Sequence, residues 1–286
     1  MNIDSINDST LSPALSVENL SFAYEKGNYL FKNLHFQLEK GQILQILGAN
    51  GAGKTTLLNC LARQLHPKSG VIRLFGRDLR QISRLELAQK MAYVPQLSAS
   101  LCRFKVIDYT VMGRTPHLKA LASPGEADYG LARRYLADLR LSHLAEKTMD
   151  QLSGGERQQV QIARALTQQS PLILLDEPAN HLDYGNQHRI LGLMTSLAAQ
   201  GYTLIATTHM PDAPLLTGGF VGIFAGGQFL FGPSSEMLTG QTLEKIYGIQ
   251  GKVLDIPEIG RKACFCLQPQ ANSGENRKTV SINNQL

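Results

Sequence analysis

The segment Gly48-Ala49-Asn50-Gly51-Ala52-Gly53-Lys54-Thr55 constrains this chain more than any other. It follows the apolar run Ile43–Leu47 and opens a helix-like stretch from Lys54 to Leu65. Glycines at such a junction let backbone N–H groups close around an anion, and the start of a helix adds partial positive charge there. The pattern Gly-x4-Gly-Lys-Ser/Thr between strand and helix therefore predicts a phosphate cradle. In that cradle Gly48, Asn50, Gly51 and Gly53 shape the loop and Lys54 reaches the β- and γ-phosphates. The Thr55 hydroxyl ligates Mg²⁺, and Thr56 completes the nucleotide-binding set.

The rest of the chain alternates between strand and helix patterns. Leu15–Leu20 and Phe31–Leu38 read as two strands of a meander, split at Lys26-Gly27-Asn28, and Val71–Phe75 reads as another ending at Gly76. From about Leu97 to Thr167 the pattern is mostly helical, with a break at Pro124-Gly125. Leu172–Leu175, a helix over Gln187–Gln200 and the strand Thr203–Thr207 follow. This alternation predicts a parallel sheet flanked by helices. Residues 1–13 are polar and read as a flexible arm; 14–255 form the nucleotide-binding domain, with a helical subdomain over about 97–167. Residues 256–286 read as a C-terminal extension and polar tail.

The run Leu172-Ile173-Leu174-Leu175-Asp176-Glu177-Pro178 ends an apolar strand in two carboxylates. Downstream of a phosphate loop, Asp176 is placed to hold the Mg²⁺ shell, and Glu177 to polarise an attacking water as general base. His209, just past Thr203–Thr207, is placed to donate to the γ-phosphate or to hold that water in line.

These residues are joined by Leu152-Ser153-Gly154-Gly155-Glu156-Arg157-Gln158, which resembles the signature of ATP-binding-cassette (ABC) ATPases. The similarity runs from about Leu15 to Gly248. It implies an α/β fold: a P-loop core of mostly parallel sheet with an antiparallel β subdomain and an inserted helical subdomain. Tyr24 resembles the aromatic residue that stacks on adenine, and Gln96 the glutamine of the hinge, which reaches metal and water. Asp183 resembles the aspartate of the loop after the acidic strand, and His209 the switch histidine. Lys54, Gln96, Glu177 and His209 then form the catalytic set. In the family, a site like Ser153, Gly154 and Gly155 closes on ATP held by an opposite subunit, so the resemblance implies a head-to-tail homodimer around two ATP molecules. Ala179 and Asn180 depart from the commoner Thr and Ser without removing a phosphate or metal ligand.

Met112-Gly113-Arg114-Thr115-Pro116-His117 resembles a segment of the cassettes serving importers of ferric siderophores, haem and vitamin B12, and those of molybdate-type importers. Asp128-Tyr129 and Tyr247-Gly248 sit as they do in those relatives. Gly113–His117 also reads as a plain helix cap and turn. The resemblance implies a separate membrane permease, contacted along Leu97–Arg114 through exposed-looking Leu101, Phe104 and Val106, and indirectly a solute-binding protein. An alternative within the family is an ATPase without a permease, such as an iron–sulfur assembly factor, and an exporter shares the same motifs.

Composition excludes little else. No run among the 286 residues approaches the roughly 18 apolar residues of a membrane span, so the expectation is a soluble chain acting peripherally on the cytoplasmic face of the inner (cell) membrane. The net charge is +5, but the basic residues are scattered, so no nucleic-acid partner is expected. The four cysteines (Cys60, Cys102, Cys264, Cys266) are too few and too dispersed for a disulfide scaffold. Cys264-Phe-Cys266 supplies only two soft ligands and reads as an ordinary thiol pair.

Overall fold

A computed structural model describes residues 12–25, 27–96, 103–180 and 182–267. The expected contact residue Leu101, with the rest of 97–102, lies outside that set, as do most of the N-terminal arm and of the tail.

β1 (Leu15–Ala23) and β2 (Tyr29–Leu38) pair antiparallel, followed by β3 (Ile43–Gly48) and α1 (Lys54–Leu61). The helix stops short of Leu65 because Arg63 takes a left-handed φ of 57°, its guanidinium donating to the carbonyl of Leu79 at 2.9 Å. β4 (Ser69–Leu74) and β5 (Arg77–Asp78) complete a four-stranded antiparallel sheet of order β2-β1-β4-β5. α2 (Arg84–Lys90) and β6 (Met91–Val94), neither evident from periodicity, lead to α3 (Val106–Val111), α4 (Glu126–Asp138) and α5 (Gly154–Thr167). β7 (Leu172–Leu175), α6 (Tyr184–Ala199), β8 (Thr203–Thr208), α7 (Ala213–Thr217), β9 (Phe220–Ala225) and β10 (Gln228–Pro233) finish the core. α8 (Ser234–Met237) and α9 (Gly240–Tyr247) precede a hairpin of β11 (Gly251–Ile256) and β12 (Arg261–Cys266).

The second sheet has the order β10-β9-β3-β8-β7-β6, parallel throughout except for the β9–β10 pair. Its central strands are apolar on both faces because both are covered, as parallel strands require. Leu44, Ile46, Leu172, Leu174 and Ile205 pack with Leu57, Leu58 and Leu61 of α1. Ile43, Ile173, Leu175, Leu204 and Ala206 face Ile190, Leu191 and Met194 of α6. The helical subdomain has its own core of Val106, Val111, Leu136 and Val160. α5 ties it to the main body, since Val160 and Ala163 face inward to that core while Ile162 and Leu166 pack on the sheet side.

Two expectations need correction. Val106 is fully buried rather than exposed, because α3 turns its apolar face onto α5 within the subdomain core; Phe104 remains half-exposed. The boundary expected at 255 falls inside β11, whose pairing with β12 is hidden in a mixed, half-exposed sequence lacking clean alternation.

Candidate active site

The cradle is built by the end of β3 and the start of α1. Gly53, immediately before the helix, has φ 105°, a conformation that favours glycine, and a β-carbon there would also crowd Leu30 at 3.1 Å. At Gly48 a β-carbon would stand 3.0 Å from that of Phe224, so the loop reaches its position only without one.

Lys54 is 5% exposed and curls back over its own loop, donating to the carbonyls of Gly48 at 2.8 Å and Ala49 at 3.1 Å. Burial lowers its pKa, while the charges of Glu177 and Asp176 pull it back up. The ammonium is thus held over the loop, 3.9 Å from Glu177 Oε1.

Asp176 leaves the end of β7 almost wholly buried. The β7–β8 register pairs Leu175 with Ala206, which puts Asp176 beside Thr207. The Thr207 hydroxyl donates to Asp176 Oδ1 at 2.6 Å and accepts the backbone N–H of Glu177 at 2.8 Å. From α1, the Thr55 hydroxyl donates to the same Asp176 oxygen at 3.2 Å.

Glu177 has a φ of 49°, left-handed for a residue with a long side chain, and such strain persists only where surrounding structure enforces it. Here the enforcement is visible. Its Oε2 accepts Asn180 Nδ2 at 2.6 Å and Gln96 Nε2 at 3.2 Å, with His209 Nδ1 4.0 Å away. Tyr24 closes the other end of the cleft. Its hydroxyl shares a 2.9 Å hydrogen bond with Thr56, and the ring meets Phe22 at an interplanar angle of 84°, while the residue stays 66% exposed. Tyr24, Asn50, Gly51, Gly53, Lys54, Thr55, Thr56, Gln96, Glu177 and Asn180 line one open cleft of about 580 Å³.

The other expected residues do not line that cleft. Ser153 caps α5: its hydroxyl donates to Glu156 Oε2 at 2.7 Å, and the Glu156 N–H donates back at 3.3 Å. Gly154 faces open space, while a β-carbon on Gly155 would meet Asn186 at 3.2 Å. Asp183 caps α6, accepting the Asn186 N–H at 2.8 Å, and that bond holds its carboxyl below the ordinary range. The signature and the helix that Asp183 caps thus adjoin each other, outside the lining of that cleft.

Two residues of the cluster carried no role in the sequence. Thr207 is an unremarkable strand threonine until strand register sets it against Asp176, and Asn180 registers only as a departure from Ser. An available signal was the pair Thr207-Thr208 closing a strand whose middle is apolar.

The model of the ABC transporter family matches residues 31–180. A molybdate import ATP-binding protein from Haemophilus influenzae is 38% identical over 83% of this chain and 89% of its own length. A hemin import ATP-binding protein from Gloeobacter violaceus is 34% identical, covering 82% and 87%. Among solved structures, an inward-facing one described as of metal-chelate type ABC transporter is 36% identical with a TM-score of 0.80, covering 89% of this chain and 98% of that one. A dimeric bacterial ABC transporter cassette is 25% identical with a TM-score of 0.68, covering 77% and 98%. The chain belongs to the ABC transporter family. Within it, this is an ATP-binding and ATP-hydrolysing subunit of an import system, and cassettes of its kind form dimers. Among the described residues, no helix is long and apolar enough to cross a membrane.

Proposed function

We propose that this chain powers uptake of a metal-containing solute, in the class of iron–siderophore, haem, cobalamin or molybdate, as a head-to-tail pair docked peripherally beneath a separate permease. The relatives that import molybdate and hemin support the cargo class.

The observation that carries the chemistry is Glu177, left-handed in its backbone, with its carboxylate doubly hydrogen-bonded 3.9 Å from the buried Lys54 ammonium. Lys54 receives the β- and γ-phosphates and neutralises charge on the transferring group. Mg²⁺ fits the hard oxygen donors of Thr55 and Asp176, with the Gln96 amide beside them, and bound there it would neutralise charge on the phosphate oxygens. Glu177 takes the proton of the attacking water, and Gln96 and Asn180 keep its carboxylate aimed. His209 holds the reacting end of the nucleotide, and Tyr24 offers an exposed ring for adenine. Ser153, Gly154, Gly155 and Asp183 complete the site of a second copy, so ATP joins the pair and hydrolysis releases it.

Docking to the permease falls on the surface around Phe104 and Met112, since Val106, Ile107, Val111 and Gly113 are turned inward. The Gly113–His117 turn is itself tied to α5 and the turn after it. Arg114 donates to the carbonyl of Thr167 at 3.2 Å, and His117 bonds that of Gln168 at 2.8 Å. Motion at the docking surface is thereby linked mechanically to the signature helix.

A tagged Glu177→Gln chain, purified in mild detergent with Mg²⁺ and ATP, tests this. The expected result is a pair of copies with a polytopic membrane protein and ATP turnover lowered by about a hundredfold or more. Unchanged turnover removes Glu177 as base; recovery without a membrane protein removes the permease.

A further inference from the structure

We propose that the C-terminal elements set the position of His209, with Tyr247 as a positioning residue acting through its backbone; this rests on the reading of His209 as a participant in hydrolysis. At the end of α9 the Tyr247 hydroxyl donates to the main-chain carbonyl of His209 at 2.6 Å. Three residues further on, Asp212 occupies the N-cap position of α7 but makes no side-chain bond to its own helix. Its Oδ1 accepts the backbone N–H of Cys264 on β12 at 2.8 Å instead. The segment His209–Asp212, which leads out of the catalytic strand β8, is therefore gripped at both ends by elements that follow the nucleotide core in sequence.

The grip is anchored. Leu243 and Ile246 of α9 are buried, and Ile246 packs with Leu47 of β3 and Ile223 of β9. Gly248, at φ 68°, ends the helix directly after Tyr247, with its N–H on the carbonyl of Glu244 at 2.8 Å. Burial pushes the Tyr247 hydroxyl well above its ordinary pKa, so it remains a neutral donor across the physiological range.

Satisfying a buried carbonyl does not explain the bond, because His209 is exposed and its carbonyl could be hydrated. What the tie constrains is where the histidine sits. The imidazole stands 4.0 Å from Glu177 Oε2, just beyond hydrogen-bond length, so a displacement of under an ångström decides whether it engages.

A double-mutant cycle on the full-length chain tests the idea, using steady ATP turnover with Tyr247→Phe, His209→Ala and both together. Tyr247→Phe should lower kcat about three- to tenfold, the range expected for one hydrogen bond, with KM for ATP unchanged. In the His209→Ala background it should have no further effect. Asp212→Ala should reproduce the loss, and Asp212→Asn, which keeps an acceptor oxygen, should restore most of it; this pair decides the matter if Tyr247→Phe folds poorly. Wild-type turnover in Tyr247→Phe, or an equal loss with and without His209, overturns the positioning role while leaving the site intact. A His209→Ala chain with wild-type turnover overturns the reading of His209 itself and this inference with it.

Discussion

Two glycine-rich turns open helices in this chain, and they are left in opposite conditions. The turn before α1 is enclosed: Lys54 is buried over it beside Thr55, and Gln96 and the Asp176-Glu177 pair converge on it from two other segments. The turn before α5 is open: Ser153 and Gly154 are exposed, and the serine hydroxyl is occupied by Glu156 of its own helix. Both are anion sites in principle, with free N–H groups and the positive end of a helix. The difference teaches that one copy encloses one of the two turns by itself and leaves the other on its surface; in the proposed function the first does the chemistry and the second clamps. Under the proposed function, ATP bound in the enclosed turn of one copy joins it to the open turn of the other, so tight association would depend on nucleotide.

The sharpest way to break this comparison is to block the open turn alone. A β-carbon on Gly154 would meet nothing within 4 Å, so Gly154→Glu should fold and bind ATP normally. Its carboxylate would nevertheless repel the incoming phosphate, and turnover should fall about a hundredfold. Mixing it with Lys54→Ala should restore activity, because the mixed pair contains one composite site with both halves intact. No recovery in that assay, with both chains folded, would show that the two turns do not meet across copies.

A smaller effect sharpens the enclosed half. Thr207→Val keeps the shape of the side chain but strands the Glu177 N–H and removes a donor from Asp176. Stability should drop by about 1–3 kcal/mol, read by denaturant unfolding. An unchanged midpoint would mean that the bridge between the two acidic residues is not needed to hold them.

The smallest effect concerns the support of the open half. Asp128 accepts the Gly125 N–H and pairs with Arg114, both at 3.0 Å, and these contacts hold its carboxyl below the ordinary 3.8. A lowered folded-state pKa adds stability above the unfolded value and loses it as pH falls through the folded one. Asp128→Asn should therefore cost under about 1 kcal/mol at neutral pH, with the gap closing as pH falls through the lowered folded-state value. A gap that widens in acid would reverse the assigned sign.

Much of the fold was legible where the signal is local. The cradle, the acidic strand and most central strands and helices announce themselves through short patterns, with ends displaced by caps such as Asp183 or by the left-handed Arg63. The exposure of Val106 was misread because a six-residue helix gives too little periodicity to show which face turns inward. The hairpin at 251–266 was missed because half-exposed strands carry no clean alternation.

The sequence by itself determined that this chain cradles a phosphate and delivers two carboxylates near it, because those features live in contiguous residues whose backbone chemistry needs no distant partner. Only the tertiary structure decided that Thr207 joins Asp176 to Glu177, that Asn180 bonds the Glu177 carboxylate, and that Tyr247 reaches His209. Strand register and the docking of α9 set the Thr207 and Tyr247 contacts across 31 and 38 residues of sequence. The Asn180 contact spans three residues, yet it depends on the left-handed turn that the fold enforces at Glu177. No pattern within a single segment encodes what lies opposite it until the core has packed.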